Sequence, residues 1–113
     1  MQTFLKTQYD LNDPNIVSVI DDLPLWSAPF GLKLLDVVKL RKNINVLDIG
    51  SGNGFPIIEL SQRLGKTCKV YGIDPWKEAV NRIKLKIKMW NIDNVEIIEG
   101  KAEEMPFEDK YFD

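Results

Sequence analysis

The 113-residue sequence has no histidine and a single cysteine, Cys68. Without histidine, neither Ser-His-Asp nor Cys-His nucleophilic machinery can be assembled from these residues, and the usual zinc ligand sets are out of reach, so no metal site is expected. One cysteine excludes an intrachain disulfide. Long apolar runs are missing too, and the N-terminus, Met-Gln-Thr-Phe-Leu-Lys, lacks the hydrophobic core of a signal peptide. Neither a membrane span nor a leader is therefore expected, and a cytoplasmic location is the default. Charge of one sign is not in excess: 15 Lys+Arg against 17 Asp+Glu leave a net charge of −2, which gives no global field to attract nucleic acid.

What is present suits one small globular domain. The hydrophobic fraction of 44% is ordinary, so disorder is not expected. A chain of this length buries roughly two thirds of its unfolded surface, enough for a modest core. Asp13-Pro14 reads as the cap and first residue of a helix with Ile16, Val17, Ile20 and Leu23 on its apolar face. Leu23-Pro24 and Pro29 punctuate a connection, and a second helix is expected from Pro29 to Lys39 with Phe30, Leu34, Val37 and Val38 on one side.

Three strands and two helices follow in alternation. The strands are expected at 45–49, 68–74 and 95–98. The first intervening helix opens at Pro56, carries an inner stripe of Ile57, Leu60, Ser61 and Leu64, and ends at Gly65. The second runs from Pro75 to about Trp90, with Val80, Ile83, Ile87 and Trp90 at helical spacing. Cys68 and Trp90 read as core residues. Lys77, Arg82, Lys84, Lys86 and Lys88 make this last helix basic and read as a solvated face. A β-α-β-α-β order implies an α/β fold with a parallel sheet and right-handed crossovers.

The most informative stretch is Val46-Leu47-Asp48-Ile49-Gly50-Ser51-Gly52-Asn53-Gly54. An apolar strand ends in a carboxylate, and a loop with glycines at alternate positions follows. Dinucleotide-binding loops use G-x-G-x-x-G, but the last glycine position here holds Phe55. Asp48 would repel a pyrophosphate and attract a cation, which favours S-adenosylmethionine with its ammonium and sulfonium. Asp74, 24 residues beyond Gly50, stands at the end of the second strand, where a carboxylate can accept from both ribose hydroxyls of a nucleoside. This feature fits NAD equally well, and Asp74 next to Pro75 also makes a good helix cap. Pro75-Trp76 offer an apolar surface to an adenine.

Val46–Gly54, Gly72-Ile73-Asp74 and the segment Glu99-Gly100-Lys101-Ala102-Glu103-Glu104-Met105-Pro106-Phe107 through Tyr111-Phe112-Asp113 together resemble the class I, Rossmann-like S-adenosylmethionine-dependent methyltransferases, most closely the small-molecule branch. The resemblance covers residues 44–113, with 1–43 as an N-terminal helical segment. It implies that Asp48 holds the methionine ammonium and that Gly50, Ser51 and Gly52 supply backbone contacts to the methionine part. It further implies that Asp74 binds the ribose, that Pro75 and Trp76 flank the adenine, and that Ala102 donates its N–H to an adenine nitrogen. The family often has an acid where this chain has Lys101, which makes Glu103 the candidate replacement. Tyr9, Trp26 and Phe30 lie where the family often has helices capping the cofactor cleft, although core packing is the competing expectation.

The resemblance also implies a partial sheet with strands in the order 3-2-1, because the family's fourth strand begins at the position of Asp113 and pairs with the first. Strand one is then an edge, which is a pairing hazard. The expectation is that residues 1–40 or another chain, as in a homo-oligomer, cover it. The acceptor pocket and any proton-abstracting residue come from later strands in the family. The catalytic residues thus stay unknown, the methyl acceptor is expected to be a small molecule, and these 113 residues alone are expected to be inactive. An NAD-type oxidoreductase and a non-catalytic nucleoside-binding or assembly module are the alternatives.

Overall fold

The structure is a computed structural model and describes residues 8–22 and 27–113. Trp26 and the expected Leu23-Pro24 connection lie outside the described residues. The elements are α1 (Pro14–Asp22), α2 (Ala28–Val37), β1 (Asn45–Ile49), α3 (Ile57–Leu64), β2 (Lys69–Asp74), α4 (Lys77–Met89), β3 (Val95–Glu99) and a short 3-10 turn at Ala102–Glu104. The three strands form one parallel sheet in the order β1-β2-β3. Asn45 through Ile49 stand opposite Lys69 through Ile73, and Val70 through Asp74 stand opposite Val95 through Glu99. All three strands therefore end on the same side of the sheet, where open α/β folds bind ligands.

One face of the sheet carries the core. Leu35 from α2, Ile57, Leu60 and Leu64 from α3, and Val80 and Ile83 from α4 meet Val70 and Ile97 of the sheet, with Cys68 at the bottom. Ile57, Cys68, Val70 and Ile83 are fully buried. Side chains of that size contribute about 2 kcal/mol each when taken out of water. The helix stripe Ile57, Leu60, Ser61 and Leu64 is buried as its spacing predicts. Gly65 ends α3 at φ 77°, and its N–H donates to the Ser61 carbonyl.

Gly72 lets helix and sheet approach. A Cβ there would lie 2.8 Å from Ile57 Cδ1, 2.8 Å from Ile97 Cδ1 and 2.9 Å from Ser51 Cβ. The opposite face is covered in part by aromatic residues. Phe107, Tyr111 and Phe112 meet the Tyr71 ring edge-on, and the Tyr71 and Tyr111 hydroxyls lie 2.9 Å apart.

The returning chain reaches one end of the β1 edge, at Asn45. The Asp113 N–H donates to the Asn45 carbonyl at 2.9 Å, while the Asn45 N–H donates to the Asp113 carboxylate at 3.0 Å. Asp113 thus arrives beside the first residue of β1. Among the described residues, no backbone hydrogen bond joins residues up to 40 to this strand, so they do not pair with its edge. The physical reason is that α1 and α2 are helical and spend their backbone groups within themselves. Leu35 of α2 belongs to the buried core cluster, against which Val38, just past the helix, and Val46 of β1 both pack.

Three other expectations are corrected. In α2 the buried positions are Gly31 and Leu35, whereas Phe30, Leu34 and Val37 are exposed. The Phe55 ring sits over Gly31, so that any Cβ at 31 would fall 2.2 Å from Phe55 Cε1. This contact turns the helix toward its glycine side. Trp90 is 62% exposed rather than core, because α4 ends at Met89 and Trp90 is its C-cap. Tyr9 and Phe30 are both exposed and take no part in the core.

Candidate cofactor site

The glycine loop folds over the ends of β1 and β2. The Gly50 and Ser51 N–H groups both donate to the Ile73 carbonyl, at 2.8 and 3.3 Å. Gly50 and Gly52 have φ of 78° and 54°, and a Cβ at either would meet nothing within 4 Å. The left-handed backbone favours glycine here, and the missing side chains leave bare peptide facing open space. Gly54 closes the loop with its N–H on the Ser51 carbonyl, and α3 begins three residues later.

Asp74 lies at the centre of the site and is buried. One carboxylate oxygen accepts the Gly52 N–H and the other the Trp76 N–H, each at 2.8 Å. The side chain therefore joins the loop to the start of α4. Each carboxylate oxygen keeps a second lone pair for a further donor such as a hydroxyl. The Trp76 bond closes a turn just before α4, whose N-cap is Trp76, so Asp74 acts one step ahead of the helix rather than as its cap.

Asp48 lies on the same sheet face, paired in register with Gly72. One of its carboxylate oxygens is buried without a hydrogen-bond partner, as is the Ser51 hydroxyl. Burial and the nearby Asp74 charge push the Asp48 carboxyl up from 3.8 to about 6. A buried carboxylate without a donor is costly, and such an orphan in a folded protein marks the place of a missing partner. The partner that satisfies it is a cation or a strong hydrogen-bond donor.

A cavity of about 400 Å³ opens beside the loop, lined by Ile49, Gly50, Ile73, Pro75 and the Gly100–Glu103 backbone turn. It is bounded by the ends of all three strands. Pro75, Ala102 and Glu103 are thus brought together with the loop, as is Lys101. Trp76 is not part of this lining. Its indole N–H donates to the Leu11 carbonyl at 2.6 Å, which turns the ring toward the N-terminal segment.

Sequence reasoning missed a second anchor of the loop. Lys86, expected on a solvated face, is 19% exposed and donates to the Asn53 carbonyl at 2.7 Å. It also donates to Asp21 of α1 at 2.5 Å, while Arg82 donates to the other Asp21 oxygen at 2.7 Å. The available signal was the spacing of Arg82 and Lys86, which puts both cations on one side of a helix.

A family model described as a methyltransferase domain matches residues 40–113. The chain belongs to this family. Among curated members, it is 39% identical over 110 residues to the demethylmenaquinone methyltransferase of Staphylococcus aureus, covering 96% of this chain and 42% of that relative. It is 31% identical over 85 residues to a probable cobalt-precorrin-6B C(15)-methyltransferase (decarboxylating) of Sulfurisphaera tokodaii, covering 75% of this chain and 44% of that relative. The chain thus spans less than half the length of these two proteins. A solved S-adenosylmethionine-dependent methyltransferase from Aquifex aeolicus superposes with a TM-score of 0.74 at 32% identity, over 89% of this chain and 54% of that one. Within this methyltransferase domain, the parallel sheet flanked by helices is the Rossmann-like partial fold that the β-α-β-α-β order implied.

Proposed function

We propose that this chain forms the cofactor-binding part of an S-adenosylmethionine-dependent methyltransferase with a small-molecule acceptor. The observation that carries the reading is the unpartnered Asp48 oxygen behind an open glycine loop, beside a second carboxylate. Two acids held together at a strand end suit a cationic ligand with a diol, and they oppose a pyrophosphate. The domain family and the names of the two curated relatives support methyl transfer as the reaction.

The residues divide the cofactor between them. Asp48 would pair with the methionine ammonium, and the Ser51 hydroxyl, also buried without a partner, would be free to bond the cofactor or a water. Exposed peptide at Gly50 and Gly52 meets the methionine carboxylate and backbone. Asp74 accepts from the ribose hydroxyls with its remaining lone pairs, and the loop and α4 hold it in one rotamer while it does so. The cavity between Pro75 and Ala102 would take the adenine, with the Ala102 N–H as donor to a ring nitrogen and Glu103 as acceptor for the amino group. The bound cofactor supplies an activated methyl on a sulfonium, and the protein's part is to hold that methyl in line with an acceptor.

Calorimetric titration of the purified chain tests the assignment directly. S-adenosylhomocysteine is expected to bind and NADH is not. Binding of NADH alone would reverse the assignment, and binding of neither would leave a non-catalytic module.

A further inference from the structure

We propose that Lys86 is a positioning residue for the cofactor loop, and that through Asp21 it ties the conformation of this loop to the docking of the N-terminal helix. Its ammonium reaches the Asn53 carbonyl and the Asp21 carboxylate at once, at 2.7 and 2.5 Å. Asn53 is the neighbour of Gly52, whose N–H is held by Asp74 at 2.8 Å. Two successive loop residues are therefore each pinned, Gly52 to the end of β2 and Asn53 to α4, whose Lys86 is in turn tied to α1. Through Asp21 the second anchor reaches α1, which lies outside the β-α-β-α-β unit.

The arrangement is not a surface ion pair. The Asp21 side chain is 13% exposed and that of Lys86 19%. Burial alone would push the Asp21 carboxyl up, but the hydrogen bonds and charges of Lys86 and Arg82 outweigh it and hold the group below its usual range. One acid facing two cations leaves a net positive charge, and the loop carbonyl is what receives it.

The N-terminal segment depends on this contact. α1 has nine residues and a single buried one, Val17. A helix that short is not stable by itself in water, so its place is set by its attachments. Among the described residues these include buried Val17, the Asp21 cluster near its end and the Trp76 indole on Leu11 just before its start. The two polar contacts both lead to α4 or its N-cap. Any ligand that orders the loop therefore orders α1, and loss of α1 loosens the loop, because the two share one ammonium.

The coupling rests on the cofactor reading above, but the clamp can be measured without a ligand. Hydrogen exchange is followed at the loop amides, above all at Gly54, in wild type, Lys86→Met, Asp21→Asn and, as control, the exposed neighbour substitution Asp22→Asn. Losing a charge-assisted hydrogen bond is expected to speed local opening of the loop by about tenfold in both Lys86→Met and Asp21→Asn. Lys86→Arg keeps a donor and should stay near wild type, as should Asp22→Asn. Circular dichroism verifies that the fold persists in each.

Saturating S-adenosylhomocysteine should slow exchange in α1 of the wild type and leave α1 unaffected in Lys86→Met. Unchanged loop exchange in both Lys86→Met and Asp21→Asn would overturn the clamp. If wild type fails to bind S-adenosylhomocysteine, the cofactor reading and the coupling fall together, while the ligand-free comparison still decides the clamp.

Discussion

Replacing Asp48 by Asn is expected to stabilise the ligand-free protein at neutral pH while damaging cofactor binding. The carboxyl moves from 3.8 to about 6 on folding, through burial first and the Asp74 charge second. At 1.36 kcal/mol per pH unit, this difference amounts to about 3 kcal/mol between the protonated and ionised native states. The native state holds the proton more tightly than the unfolded chain. The contribution of this group to stability is therefore fully present below about pH 4 and is lost as pH rises through about 6. Above that, the protein carries an ionised, partly unsatisfied carboxylate.

An amide of the same shape has no such charge, but it buries an unpaired N–H at a cost of about 1 kcal/mol or more. The net expectation for Asp48→Asn at pH 7.5 is a gain of about 1–2 kcal/mol, or a Tm higher by about 5 °C. The gain should vanish near pH 4. Thermal melts of both proteins from pH 4 to 8 measure it. A Tm difference that does not change with pH, or a variant less stable than wild type at pH 7.5, would refute the reasoning.

The same proton governs binding. The affinity of S-adenosylhomocysteine for wild type should fall as pH drops below about 6, by up to tenfold per unit, because the ammonium needs the ionised form. Methylthioadenosine, which lacks the ammonium, should show no such dependence.

Two further substitutions separate the loop from the core. Gly52→Val should weaken S-adenosylhomocysteine binding by more than tenfold while costing only about 1–2 kcal/mol of stability, because φ is 54° but no protein atom lies within 4 Å of the added Cβ; equal affinity by calorimetry would show that the ligand does not approach this peptide. Ile83→Ala should lower stability by about 3 kcal/mol or more in urea melts, since Ile83 is fully buried between α4 and the sheet. A cost under about 1 kcal/mol would mean that α4 is not docked as described.

What could be read in the sequence was local and periodic. β1 and α3 fall where the apolar period, the prolines and Gly65 put them, and β2 differs by one residue at its start. The carboxylates at 48 and 74 and the alternate glycines come to one place because parallel strands bring their C-terminal ends together, a consequence of chain order alone. Where one side of a helix is not clearly apolar, the period fails. α2 has large apolar residues nearly all round, so its orientation was decided by the absence of a side chain at Gly31 and by Phe55, 24 residues later. Trp90 kept the helical spacing past the point where the helix stops, and spacing does not mark that end.

The basic residues of α4 show why part of the site stayed hidden. Lys77, Lys84 and Lys88 are exposed, as a charged helix face predicts, yet Arg82 and Lys86 on the same helix turn inward. Nothing local distinguishes the two groups. The distinction comes from Asp21, 65 residues before Lys86, and from a peptide carbonyl that carries no sequence signature at all. A glycine loop announces itself by the side chains it lacks, but the loop is held in place by contacts to its backbone, and those depend on which distant elements the fold delivers. Here the fold delivers an acid from the N-terminal helix. The glycines permit the left-handed backbone the loop needs, and the Asp21–Lys86–Asn53 chain adds to Asp74 a second restraint on it.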